Sequence, residues 1–174
     1  MKLSPTAIAG VLRVTTTRHG DERGGFLRSW CAESFAAAGL DFRPIQASLS
    51  ENARRHTLRG LHWQAAPAAE TKLVRCLAGA ILDVAVDLRP DSPTCFAHLA
   101  CQLDPASAEA LLIPPGCAHG FLTLTDDALV EYLIDAPHTP DLARGARFDD
   151  PRLAIPWPAA PAVISARDLA WHPL

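Results

Sequence analysis

The chain has 174 residues, of which 49% are hydrophobic and 20% charged, and a net charge of −3. That length supplies one domain, residues 1–174, with a full core. The mildly acidic balance argues against non-specific nucleic-acid binding, and no apolar run approaches a membrane span. Five cysteines without CxxC spacing, and no signal-like apolar run at the start, read as free thiols of a cytoplasmic protein.

Fifteen prolines against ten glycines favour many short strands and turns over long helices. Residues 7–17 are rich in β-branched types and read as a first strand. A polar, glycine-rich loop follows over 19–25, and Phe26-Leu27-Arg28-Ser29-Trp30 leaves it as another strand. Residues 33–39 read as one short helix stopped by Gly39. Residues 43–50 return to strand, and 51–56 form a charged loop.

The chain is organised around Leu58-Arg59-Gly60-Leu61-His62-Trp63-Gln64. A strand here buries Leu58 and Leu61. Period two does not put Arg59 and His62 on one face, so turning both towards a cavity requires a twist or bulge near Gly60. Without one, they are ordinary charges at a surface strand end.

The clearest alternation comes next. Lys72-Leu73-Val74-Arg75-Cys76-Leu77 runs to Gly79, then Ile81-Leu82-Asp83-Val84-Ala85-Val86-Asp87-Leu88. Leu82, Val84, Val86 and Leu88 share one face and Asp83 and Asp87 the other, which predicts an antiparallel hairpin turning at Gly79. Residues 89–94 are a turn. Residues 95–103, 110–113 and 128–134 are further strands, and Pro114-Pro115-Gly116 breaks the chain before Cys117-Ala118-His119-Gly120-Phe121. Residues 137–150 are a polar loop without pattern. Many short strands with little helix imply an all-β fold, a jelly-roll β-barrel or sandwich with a few short helices.

A jelly roll carrying histidines suggests the cupins. Pro114-x-Gly116-x-x-His119 resembles their second motif, but the first motif's histidine pair is reduced here to His62-x-Gln64, with Glu70 the next acid. Three or four protein ligands are needed for a metal, so the expected metal set is none. No glycine-rich phosphate loop is present, so no nucleotide cofactor is expected.

Taken together, Asp21-Glu22-Arg23-Gly24, Leu58-Arg59-Gly60-Leu61-His62-x-Gln64, Lys72-Leu73-Val74 and Asp83-Val84-x-Val86-Asp87-Leu88-Arg89 form a recognisable series. It continues through Ser92-Pro93-Thr94, Ile113-Pro114-x-Gly116-x-Ala118-His119-Gly120-Phe121, Tyr132, Asp149-Asp150-Pro151, Ile155-x-Trp157-Pro158 and Ser165-x-x-Asp168. In that order the motifs resemble the dTDP-4-dehydrorhamnose 3,5-epimerase family. The resemblance implies a cupin-like barrel and a cofactor-free epimerase acting on a nucleotide-diphosphate 4-keto-6-deoxy sugar. It also implies a homodimer, with strand sharing between the copies.

The residue roles follow from that resemblance. His62 is carried over as the base, Asp168 as the carboxylate that orients it, and Tyr132 as the acid on the other face of the sugar. Arg23, Arg59, Lys72 and His119 match substrate-contacting positions, with Phe26, Gln46, Ser48 and Arg167 expected beside them. Several converging cations suit a diphosphate.

Departures from the pattern gather at the nucleotide end. Ser48 stands where Asn is usual, Arg28 where an acid is common, and Pro137, His138 and Ala143 where aromatic residues and a Glu are common. A single-carbon epimerase on a related keto-sugar, a non-catalytic nucleotide-sugar binder and a metal-dependent cupin are the competing readings.

Overall fold

The computed structural model describes residues 1–174. In chain order the strands and helices are β1 (Lys2–Pro5), β2 (Leu12–Thr15), β3 (Arg18–Asp21), β4 (Gly24–Leu27) and α1 (Ala32–Ala37). Next come β5 (Gln46–Asn52), β6 (Leu58–Gln64), β7 (Lys72–Ala78), β8 (Ile81–Asp87) and β9 (His98–Leu103). The remainder are β10 (Glu109–Ile113), β11 (Cys117–Thr123), β12 (Ala128–Ile134), β13 (Ala143–Gly145) and α2 (Ala166–Leu169). No helix is long and apolar enough to cross a membrane.

A six-stranded sheet of order β1-β2-β10-β7-β12-β5 faces a five-stranded sheet of order β13-β6-β11-β8-β9. All named pairings are antiparallel. This is the cupin-like jelly roll. Val74, Cys76, Leu111, Ile113 and Val130 from one sheet meet Ile81, Ala85, Cys117 and Phe121 from the other. Each fully buried Ile, Leu or Phe contributes about 1.5–3 kcal/mol. The outer faces are covered too: α1 lays Phe35 against Phe42 over Val14, Leu73 and Leu112, while Ala146 and Leu153 cover Leu61, Val84 and Val86. Central strands therefore bury both faces, as the unbroken burial of β11 shows.

The expected β7–β8 hairpin does not form. β7 pairs with β10 and β12, whereas β8 pairs with β9 and β11 in the opposite sheet. Gly79, at φ +70°, turns the chain from one sheet to the other. Its corner sits against the parallel corner between β11 and β12, where Leu124 N–H donates to the Ala80 carbonyl and Thr125 Oγ1 accepts from Ala80 N–H. Two adjacent crossings thus brace each other.

Three smaller expectations also change. Of the strand read over 7–17 only Leu12–Thr15 is strand, β2; the residues before it are the turn from β1, which buries Ile8 and Val11. The loop read over 19–25 contains most of a β3–β4 hairpin, which pairs with neither sheet. The patternless 137–150 segment supplies β13, which adds to the free edge of β6.

Candidate active site

One strand fixes the site. β6 pairs with β11 so that His62 faces His119 and Arg59 faces Phe121, three residues of β6 spanning two of β11. That bulge falls at Gly60, whose φ is +119°. The extra residue turns both Arg59 and His62 into one cleft. Glycine is required there for packing as well as conformation, because a Cβ would lie 2.5 Å from Gly120 Cα and 2.8 Å from the His119 carbonyl.

The cleft occupies about 310 Å³ on the side of Gln46, Ser48, Lys72 and His119. It continues past Arg59, His62, Tyr132 and Arg167 into a second hollow bounded by Ser165 and Asp168. β5 supplies Gln46 and Ser48, β7 Lys72, β11 His119, β12 Tyr132 and α2 both Arg167 and Asp168.

His62 Nε2 lies 2.6 Å from Asp168 Oδ1, with the His62 side chain 41% exposed and that of Asp168 5%. Asp168 Oδ2 also accepts from Gly60 N–H at 3.4 Å, and Asp168 N–H donates to Ser165 Oγ at the start of α2. Burial alone raises the Asp168 carboxyl. The hydrogen bond and charge of His62, with smaller help from Gly60 and Ser165, outweigh that and hold it below the usual carboxylate range. An ionised, buried carboxylate behind a half-exposed imidazole orients the ring and stabilises its protonated form.

Tyr132 has the opposite character. Burial, and then the charge of Asp83, push its phenol far above the ordinary value, with Arg59 opposing. It is a neutral hydroxyl at working pH, a donor rather than a base. His119 meets its ring edge-on at 5.6 Å, and His119 Nε2 is bound to Asp83 Oδ1 at 2.7 Å.

Of the cations, Arg59 and Arg167 have no carboxylate partner, whereas Lys72 is paired with Glu70. Arg59 donates to Asn52 Oδ1 and the Glu51 carbonyl, and Arg167 lies over the Trp171 ring at 5.6 Å. Lys72 donates to the His62 carbonyl at 3.2 Å.

The structure brings together His62, Tyr132, Asp168, Gln46, Ser48, Arg59, Lys72, His119 and Arg167. It does not bring Arg23 and Phe26 to this cleft. Both lie on the separate β3–β4 hairpin, where the Arg23 side chain is 84% exposed and Phe26 73%. Several cleft residues had no assigned role in the sequence reading. Trp63, His138 and Arg144 line the wall, and Asp83 lies beneath His119. Their only sequence signals are the period-two register of β6 and β8 and the departures noted at 137–143. Gln64 is buried and ties two loops together, donating to the Ala68 and Pro137 carbonyls and accepting from Thr139 N–H.

No three His, Cys, Asp or Glu side chains converge in a metal-binding group. His62, Glu70 and His119 are each committed elsewhere, to Asp168, Lys72 and Asp83.

A cupin-like barrel with a His–Asp pair, a neutral phenol and a cationic rim in one cleft is equipped for proton transfer on an anionic ligand. The sequence matches the family described as dTDP-4-dehydrorhamnose 3,5-epimerase over residues 5–174, and the chain belongs to that family. It is 38% identical to the Sinorhizobium fredii dTDP-4-dehydrorhamnose 3,5-epimerase over 97% of this chain and 87% of the relative. It is equally identical, 38%, to the Streptomyces niveus dTDP-4-dehydrorhamnose 3-epimerase, over 97% and 81%. Among solved structures, the Bacillus anthracis dTDP-4-dehydrorhamnose 3,5-epimerase with TDP and PPi bound superimposes with TM-score 0.96 at 36% identity, covering 99% of each chain.

Proposed function

We propose that this protein is a sugar-nucleotide epimerase of the dTDP-4-dehydrorhamnose 3,5-epimerase type, a single cupin-like domain working in the cytoplasm without cofactor or metal. The observation that carries the mechanism is the 2.6 Å His62–Asp168 pair sharing a cleft with the neutral phenol of Tyr132. A ketone at C4 of the sugar acidifies the hydrogens on C3 and C5. His62 removes one, with Asp168 stabilising the imidazolium, and leaves an enolate. Tyr132 returns a proton from the opposite face and inverts the centre. Arg59 and Arg167 take the diphosphate, while Lys72 and His119 stand near the developing enolate charge. Gln46 and Ser48 belong to the nucleotide end. That the Bacillus anthracis relative holds TDP and PPi supports this class of substrate.

Arg23 and Phe26 fit the same reading through a second copy of the chain. An exposed hairpin outside both sheets, presenting an arginine and a phenylalanine to solvent, is suited to completing a partner's cleft. The reading is therefore a homodimer.

A single-carbon epimerase remains the second reading, because one of the relatives is named a 3-epimerase at the same identity. Ser48, Pro137, His138 and Ala143 all depart from the family pattern at the nucleotide end. Incubation with dTDP-4-dehydro-6-deoxyglucose in heavy water, read by NMR, decides between them. Deuterium with inverted configuration at C3 and C5 marks the double epimerase, inversion at one carbon the single one, and no exchange at either a binding protein.

A further inference from the structure

We infer that Glu70 is a positioning residue for the proposed epimerisation, acting through Lys72; this rests on the function proposed above. Lys72 Nζ is 2.9 Å from Glu70 Oε1, and the two side chains are only 11% and 8% exposed. Both line the cleft. A charge pair this buried carries a large desolvation cost, and one built at a reacting centre rather than in the core points to use. The ammonium has three N–H groups. One faces Glu70, one donates to the carbonyl of His62, and the third is left for the cleft. Lys72 is thereby tied to the residue that carries the proton.

Glu70 is itself firmly placed. It sits in the β6–β7 connection, which is clamped on both sides of it. Gln64 holds the Ala68 carbonyl, and Thr71 N–H donates to Asp135 Oδ1 at 2.7 Å. The other charged groups lining this half of the cleft are Arg59, Arg144, Arg167 and the titratable His62, His119, His138 and Tyr132; Glu70 is its one carboxylate. A lone carboxylate in a site meant for an anion opposes binding, so its place beside Lys72 needs another justification. Fixing the ammonium in direction, between base and substrate, supplies one. Misplacing a donor by about 1 Å costs on the order of 10²-fold in rate.

The test uses Glu70→Gln, which keeps shape and acceptor but removes the charge, in the wild-type and Lys72→Met backgrounds. Heavy-water exchange of dTDP-4-dehydro-6-deoxyglucose should fall about 10–100-fold for Glu70→Gln alone. In the Lys72→Met background the same change should cost less than about twofold, because the two residues act as a unit. Equal losses in both backgrounds, or a wild-type rate for Glu70→Gln, overturn the inference. A second readout needs no turnover. The chain has only two lysines, Lys2 and Lys72, so acetylation by acetic anhydride can be followed at each by peptide mass. Breaking the pair should speed Lys72 relative to Lys2 about tenfold, the worth of a charged hydrogen bond. An unchanged ratio overturns the pairing. Exchange absent from the wild-type protein defeats the epimerase reading itself, a result distinct from either of these.

Discussion

At the scale of single residues, the proposed base His62 and the proposed acid Tyr132 differ in what surrounds them, and each difference can be measured. His62→Ala should lower deuterium uptake at every exchanging carbon by 10²–10⁴-fold, the usual loss for a positioned general base. Near-normal exchange would remove His62 from that role. Tyr132→Phe keeps the ring against His119 but deletes the donor. Base and acid on opposite faces make exchange and inversion separable, since a base can return its proton to the face it left. The variant should exchange hydrogens yet invert slowly, as read by NMR of deuterium content beside product configuration. Parallel loss of both would show that the phenol is no separate late acid. Tyr132 is the chain's only tyrosine, so its titration is visible directly in ultraviolet absorbance. Its folded value is raised, so the native state keeps a proton that the unfolded chain releases near pH ~10. The stabilisation from this group is therefore whole below that pH and falls away above it. Native protein should show no tyrosinate absorbance at pH ~10, and denatured protein should show it there. His62 and Asp168 could be picked out because each lies within a local pattern of several residues, whereas Tyr132 entered only as a single residue matching in family order. Asp83 was not legible as a partner of His119, because 36 residues separate them and only the β8–β11 register joins them. Glu70 was visible only as a metal-ligand candidate, since its ion pair with Lys72 depends on how the β6–β7 connection is clamped.

At the scale of elements, the β6 bulge governs the site, and its glycine can be tested against another. Gly60 and Gly39 both have φ in the left-handed region, but a Cβ at Gly39 meets nothing within 4 Å. Gly39→Ala should therefore cost about 1–2 kcal/mol of backbone strain. Gly60→Ala adds a collision with the β11 backbone and should cost on the order of 4 kcal/mol or more. For a chain of this size, thermal unfolding should separate the two by roughly 5–10 °C, and exchange activity should fall only in Gly60→Ala. Equal melting shifts would mean that β6 and β11 separate freely, contrary to their close approach. The need for this bulge was readable, because Arg59 and His62 cannot share a face of a regular strand. Strand partnership was not. Period-two alternation in residues 72–88 fixes which face each side chain takes, but β7 and β8 read the same whether they pair or cross between sheets. β13 was invisible for a simpler reason. Ala143-Arg144-Gly145 has no alternation of its own and becomes a strand only because β6 offers an edge.

At the scale of the whole molecule, the proposed homodimer makes its own predictions. The one-chain cleft holds His62, Tyr132 and a rim of cations, while Arg23 and Phe26 stand on a hairpin that joins neither sheet. Edge strand β5 adds exposed Leu49, and Ile45 is exposed just before it. An edge with apolar side chains is a surface that a second copy is suited to cover. Light scattering should give twice the 18.7 kDa chain mass. Mass alone does not say whether the hairpin crosses, but subunit mixing does. His62→Ala inactivates its own cleft and keeps a normal hairpin. Arg23→Glu spoils the hairpin and keeps a normal cleft. If each hairpin serves the partner's cleft, the mixed dimer has one cleft with an intact base and an intact incoming hairpin. Random reassociation makes half the dimers mixed, so activity should recover to about a quarter of the wild-type level from two weakly active parents. If each hairpin serves its own cleft, one chain of every mixed dimer lacks the base and the other lacks the arginine. Mixing then restores nothing, and the exposed hairpin needs another explanation.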